Sequence, residues 1–234
     1  MQSKLRDFKS SCEKLLTSSN TQPVNNRLFF KDRLQPVSEE NIFKTEGYFN
    51  WGSSIIIGDD GKYHLFYSRW PKKYTFFGWL NHSEVAHAVA NNPAGPWNYK
   101  KTVLQSRGKG HWDAITVHNP KIKKFGDKYY LYYISTNLGN KDYTEEELIE
   151  TVRVGYNHPN WKEYLRPNQR TGVAVAESIY GPWKRMDKPL IEPSGPITIL
   201  TVNPAKREIN PGSQRSVTGL AARRTGDSFS LGFS

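Results

Sequence analysis

Apolar and polar positions alternate along this chain in short runs, and the runs occur twice in the same order. Residues 51–70 read WGSSIIIGDDGKYHLFYSRW, and residues 117–136 read VHNPKIKKFGDKYYLYYIST. Each stretch holds a strand, a Gly/Asp turn and an aromatic-rich second strand. Lys62, Tyr63, Leu65 and Tyr67 fall on Lys128, Tyr129, Leu131 and Tyr133. Alternation on both sides of such a turn predicts a β-hairpin. The next stretch repeats too: residues 88–97, AVANNPAGPW, return as residues 174–183, AVAESIYGPW. A small-residue strand, a loop and Gly-Pro-Trp lead each time into a further strand.

Four strands per unit follow, near 51–57, 62–68, 84–90 and 97–104, then near 116–123, 128–135, 172–178 and 183–191. Four antiparallel strands per repeat mark a propeller blade. A Greek-key sandwich also uses short strands but does not repeat in this way. The second unit carries an insertion at 137–170, with a helix predicted over 144–152, TEEELIETV. Thr144 serves as its cap and acids fill its first turn. Such an insertion reaches over one face of a scaffold and can wall a pocket.

A third unit starts at residues 199–205, ILTVNPA, which match VHNPKI at 117–122, and the alternation then stops. The expectation is an all-β chain made of part of a propeller. Residues 1–46 form an extension, and 47–205 hold blades near 47–105 and 106–192 plus the start of a third at 197–205. Residues 206–234 are expected to be irregular or disordered. Two blades and one strand do not close a ring.

Composition narrows the chemistry. Aromatics are 13% of 234 residues, with thirteen Tyr and seven Trp, a supply that suits strands and sugar-stacking surfaces alike. The net charge of +11 is spread along the chain, and no nucleic-acid-binding motif accompanies it. Cys12 is the single cysteine, which excludes an intrachain disulfide and a Cys-based metal site. The histidines lack His-x-x-x-His spacing, so no metal or cofactor is expected. No run of eighteen apolar residues predicts a membrane span. The first twenty residues lack the apolar core of a signal peptide, and a cytoplasmic chain is the default expectation.

The order aromatic strand, Gly-Lys-Tyr turn, Phe-Tyr-Ser, Ala-Val-Ala and Gly-Pro-Trp, found over residues 47–205, resembles the five-bladed propellers of glycoside hydrolase family 43 and its relatives such as family 117. The resemblance implies hydrolysis of O-glycosidic bonds in oligo- or polysaccharides by a carboxylate base and a carboxylic acid near the propeller axis. Inversion sets the two about 6.5–9.5 Å apart. The implied base is an Asp before Pro at the start of the first blade, where this chain reads Trp51-Gly52-Ser53-Ser54. Cleavage by these residues is therefore expected to be feeble or absent. The alternatives are a carbohydrate-binding propeller without catalysis and a basic scaffold propeller.

Candidate site residues follow from position. Asp113, in Gly110-His111-Trp112-Asp113, stands just before an innermost strand and is the best-placed carboxylate, with Trp112 beside it to stack on a sugar. His118 and Asn119 begin that strand, Asn203 takes the same station in the third unit and Ser53 in the first. His118 is a candidate acid or base. Trp51, Arg69 and Trp70 are further candidates for sugar contact, Arg69 through an acidic sugar or a catalytic carboxylate. Glu84 and His87 lie on a third strand, away from the axis, and are expected to be structural. Asp59, Asp60 and Asp127 belong to turns, while Trp97 and Trp183 are read as blade-packing rings. The open sheet edge near Asn203 invites self-association.

Overall fold

The computed structural model describes residues 36–193, 220–225 and 228–233. The first blade runs β1 (Tyr48–Ile57), β2 (Tyr63–Pro71), β3 (Glu84–Ala90) and β4 (Asn98–Leu104), hydrogen-bonded in that order and antiparallel throughout. The second runs β5 (Thr116–Phe125), β6 (Lys128–Thr136), β7 (Arg170–Ala176) and β8 (Lys184–Arg185) in the same order. The expected all-β architecture of four-stranded antiparallel blades is thus present twice. The start of the third unit at 197–205 lies outside the described residues. Within the segment expected to be irregular, β9 (Leu220–Thr225) and β10 (Ser228–Phe233) pair as an antiparallel hairpin.

The two blades meet face to face. Phe66, Val85 and Leu104 of the first pack on Val117, Ile122, Leu131 and Tyr133 of the second, with Trp183 against them. The opposite face of the first blade buries Leu65, Tyr67, Ala86 and Ala88 under Phe43 and Trp97. This explains why β2 is buried on both faces. Trp97 and Trp183 are therefore blade-packing rings, as their shared Gly-Pro context suggested. Both Gly-Pro bonds are cis, and both glycines have positive φ.

The repeat is offset by one residue in its innermost strands. Tyr63 pairs with Ala90 and Tyr129 with Ala176, so the second and third strands match in register. Across the hairpins, Ile57 pairs with Tyr63 over five intervening residues (58–62), and Lys124 with Tyr129 over four (125–128). The extra turn residue moves every β1 side chain one place. Gly52, not Ser53, is the counterpart of Asn119, and Trp51 is the counterpart of His118. Both strands bulge here, between Trp51 and Ser54 and between His118 and Lys121, and both Gly52 and Asn119 have φ of 49°. Glycine and asparagine are the residues that accept this left-handed conformation at least cost. A Cβ on Gly52 would also lie 2.5 Å from Asn119 Oδ1.

Two insertions cover the bulged end. The first, between β2 and β3, carries Phe76, Phe77, Trp79 and Leu80. The second, between β6 and β7, carries helix α1 (Glu145–Val154) and a wide helical turn at Asn160–Leu165. Thr144 caps α1 as expected: its side chain accepts from Glu147 N–H while Glu147 accepts from Thr144 N–H. Leu80, Ile115, Leu138, Leu148, Trp161 and Leu165 form their common core.

Candidate functional site

A cavity of about 180 Å³ opens between the insertions and the bulged ends of β1 and β5. Trp51, Trp70, Phe76, Trp79, Tyr156 and Trp161 supply its rings, and Thr116, His118, Asn119, Ser135, Thr136 and Gln169 its polar groups. Trp51, Phe76 and Tyr156 remain 54%, 45% and 47% exposed, so they form the mouth. Trp70 and His118 are buried in the floor. The expectation that the 137–170 insertion walls a pocket is met by Tyr156, Trp161 and Gln169.

His118 is held from several sides in the cavity. Its ring stacks on Trp79 at 5.3 Å and tilts against Trp70 at 5.8 Å. Its Nδ1 lies 2.9 Å from Ser83 Oγ. Burial pushes its pKa down to about 3. That environment holds a neutral imidazole and opposes the charged form that a proton donor would need. Asn119 is fixed by its backbone N–H, which donates to Ser68 Oγ across the blade interface at 2.8 Å.

Asp113 is not at this cavity. It is fully buried, and Arg107 Nε donates to it at 2.5 Å, Arg185 at 3.0 Å and the Tyr133 hydroxyl at 2.9 Å. Two guanidinium groups and a phenol occupy both oxygens, so the carboxylate ties β6 and β8 to the loop before β5. The carboxylate is buried under these donors and lies outside the lining of the aromatic cavity. Trp112 packs beside it on Tyr133 at 5.5 Å, and a Cβ on Gly172 would lie 2.4 Å from its ring. It closes the sheet of the second blade and does not line the aromatic cavity.

Arg69 is likewise internal. It donates to Glu84 at 2.7 Å and to Tyr99 and Thr102, with Tyr48 and Tyr99 rings 4.3 Å from its guanidinium. Trp70, its neighbour along the strand, points the other way, into the cavity. Glu84, expected to be structural, accepts from Arg69, Thr102 and Gln105. His87, expected likewise, has its Nε2 2.8 Å from His64 Nδ1 and its ring stacked on Phe66. Ser53 is exposed and off the cavity. Asn203 lies outside the described residues.

The structure thus brings together Trp51, Trp70, His118 and Asn119, and separates Asp113, Trp112, Arg69 and Ser53 from them. The sequence reading missed Phe76, Trp79, Tyr156, Trp161 and Gln169. For the four rings the signal was aromatic density inside the two insertions, TFFGWL and GYNHPNW, while Gln169 carried no such signal. No carboxylate lines the cavity among the described residues, and no group of three potential metal ligands occurs among them.

No family model matches the chain. It is 26% identical to the β-1,2-mannobiose phosphorylase of Thermoanaerobacter sp. (strain X514), with 66% of this chain covered and 51% of the relative. The chain therefore spans about half the length of that curated relative. Among solved structures it is similar to the family 43_1 enzyme of Xanthomonas citri complexed with xylotriose, at 16% identity and a TM-score of 0.43, covering 62% of this chain and 34% of that one. It is also similar to a family 117 glycoside hydrolase of Zobellia galactanivorans, at 22% identity and a TM-score of 0.39, covering 58% and 31%.

Proposed function

We propose that the chain binds carbohydrate in the aromatic cavity of a glycosidase-like propeller, and that the described residues recognise the sugar without cleaving it. One observation carries the reading: aromatic rings and uncharged polar groups converge in one cavity, with no carboxylate in its lining among the described residues. A sugar ring presents apolar C–H faces and a rim of hydroxyls. Trp79 and Trp51 suit the faces, and His118, Asn119 and Gln169 suit the hydroxyls.

Hydrolysis by two carboxyl groups needs them about 6.5–9.5 Å apart for inversion, or about 5–5.5 Å for retention. Asp113 is buried among three donors and outside the cavity lining, which argues against its acting as the base on a sugar bound there. Cleavage by this chain is therefore expected to be feeble. The curated relative's name supplies the first ligand to try.

The test is titration of the purified chain with β-1,2-mannobiose and xylotriose, followed by tryptophan fluorescence and calorimetry. Saturable binding is expected, weakened about tenfold in Trp79→Ala, on the scale of losing one buried aromatic anchor. Absence of saturable binding to either sugar, or binding indifferent to Trp79, overturns the reading. Rapid release of monosaccharide, with or without added phosphate, overturns its non-catalytic half.

A further inference from the structure

We propose that Ser83 locks His118 in the tautomer that points an N–H into the aromatic cavity, so that His118 is a specificity-determining donor and Ser83 its positioning residue. The proposal rests on the sugar-binding reading above and names what the ligand must offer: an acceptor oxygen, from a sugar hydroxyl or ring, facing the floor of the cavity.

The inference starts from the Ser83 hydroxyl proton. Ser83 is buried, and a buried hydroxyl proton requires an acceptor. Among the described residues the one hydrogen-bond partner of Ser83 Oγ is His118 Nδ1. Were Nδ1 protonated instead, Oγ would accept and its own proton would have no described acceptor. The satisfied arrangement has Oγ–H donating to a bare Nδ1, which leaves the imidazole proton on Nε2. Nε2 in turn bonds to no described residue, and the free space beside the ring is the cavity.

The surroundings make this arrangement rigid. The Ser83 carbonyl accepts from Val117 N–H at 3.0 Å, so the serine is fastened to the strand that carries His118. Trp79 and Trp70 hold the plane of the ring. Desolvation keeps the imidazole neutral, with a single N–H to place. The backbone at Asn119 then turns sharply, which keeps the two successive polar side chains at the cavity. An N–H aimed into the cavity, with no hydrogen-bond partner among the described residues, is satisfied by a ligand oxygen or by water. A ligand with carbon at that place leaves it unpaired, and discrimination follows.

The experiment has two arms. Long-range 15N–1H correlation spectra of the ligand-free chain report which His118 nitrogen carries the proton. The Nε2–H pattern is expected in the wild type, with a shift towards a mixture of tautomers in Ser83→Ala. An Nδ1–H pattern in the wild type, or an unchanged spectrum in Ser83→Ala, overturns the proposal. That readout needs no sugar, so a chain that binds no sugar sinks the functional reading separately.

The second arm titrates β-1,2-mannobiose. Affinity is expected to fall about tenfold in His118→Phe, to be partly restored in His118→Gln, whose amide N–H can occupy the Nε2 place, and to fall about threefold in Ser83→Ala. Equal affinities for His118→Phe and wild type, or no recovery in His118→Gln, overturn the assignment of His118 as donor.

Discussion

At the bulge of its innermost strand the first blade presents Trp51 and Gly52, and the second presents His118 and Asn119. The backbone is the same at both places, with φ of 49° and one extra residue against the partner strand. The side chains divide the work. The first blade offers a wide exposed ring and a bare backbone against which Asn119 fits. The second offers two polar groups, one of them held neutral. A repeated scaffold can therefore build one asymmetric site, because bulge geometry fixes where side chains go and leaves their chemistry open.

The same contrast appears in the buried ions. Glu84 holds one guanidinium in the first blade, and Asp113 holds two in the second. Asp113→Ala leaves both arginines without their shared counter-charge and should cost about 3–5 kcal/mol in urea unfolding. Glu84→Ala should cost less, about 1–3 kcal/mol, because Glu84 is partly exposed and Arg69 keeps its bonds to Tyr99 and Thr102. Equal losses would erase the contrast. The next largest effect is expected of Gly52→Ala, about 1–3 kcal/mol from left-handed backbone and from contact with Asn119, together with weakened sugar binding. The reverse asymmetry is checked by Asn119→Gly, which keeps the backbone and removes only the polar group.

Each blade also buries one histidine whose pKa is held at about 3: His87 in the first and His118 in the second. Both values lie below the unfolded value near 6.5, so the unfolded chain takes up these protons first as pH falls. The stability they confer is complete above about pH 6.5 and is lost on the way down to about pH 3. The expected slope is about 1.4 kcal/mol per pH unit for each histidine. Urea midpoints at pH 6 and 5 should separate accordingly, and His87→Phe or His118→Phe should each reduce the separation, with His82, whose pKa burial also lowers, keeping part of it. The smallest effect belongs to the cap of the insertion: Thr144→Ala should cost about 1 kcal/mol and lower helicity without altering the blades.

The blades, the capped helix and the packing role of Trp97 and Trp183 were legible in the sequence, because alternation, turns and caps are local signals. The site was legible in part. Trp51, Trp70, His118 and Asn119 stand where strand order put them. Ser53 stands off the cavity because one additional residue in the first hairpin turn changes parity along β1, while the second and third strands of the two blades keep the same register. Asp113 looked available because its partner Arg185 lies 72 residues away in the chain. Burial of that kind comes from tertiary packing, which no local pattern carries. Phe76 and Tyr156 lie in insertions without periodicity, where sequence suggests a wall but not which rings it turns inward.

The contacts between the blades have a consequence for how the chain comes apart. They run the full depth of the interface: Tyr180 to Asp60 and Tyr129 to Asp59 at the turn end, Ser54 to Ile122 and Ser68 to Asn119 in the middle, Ser83 to Val117 and His118 at the cavity end. Neither blade can swing away while one level stays fastened. Amide protons of β2 and β6 should therefore exchange through a single opening event of common free energy, with the two blades behaving as one cooperative unit and not as two modules in series.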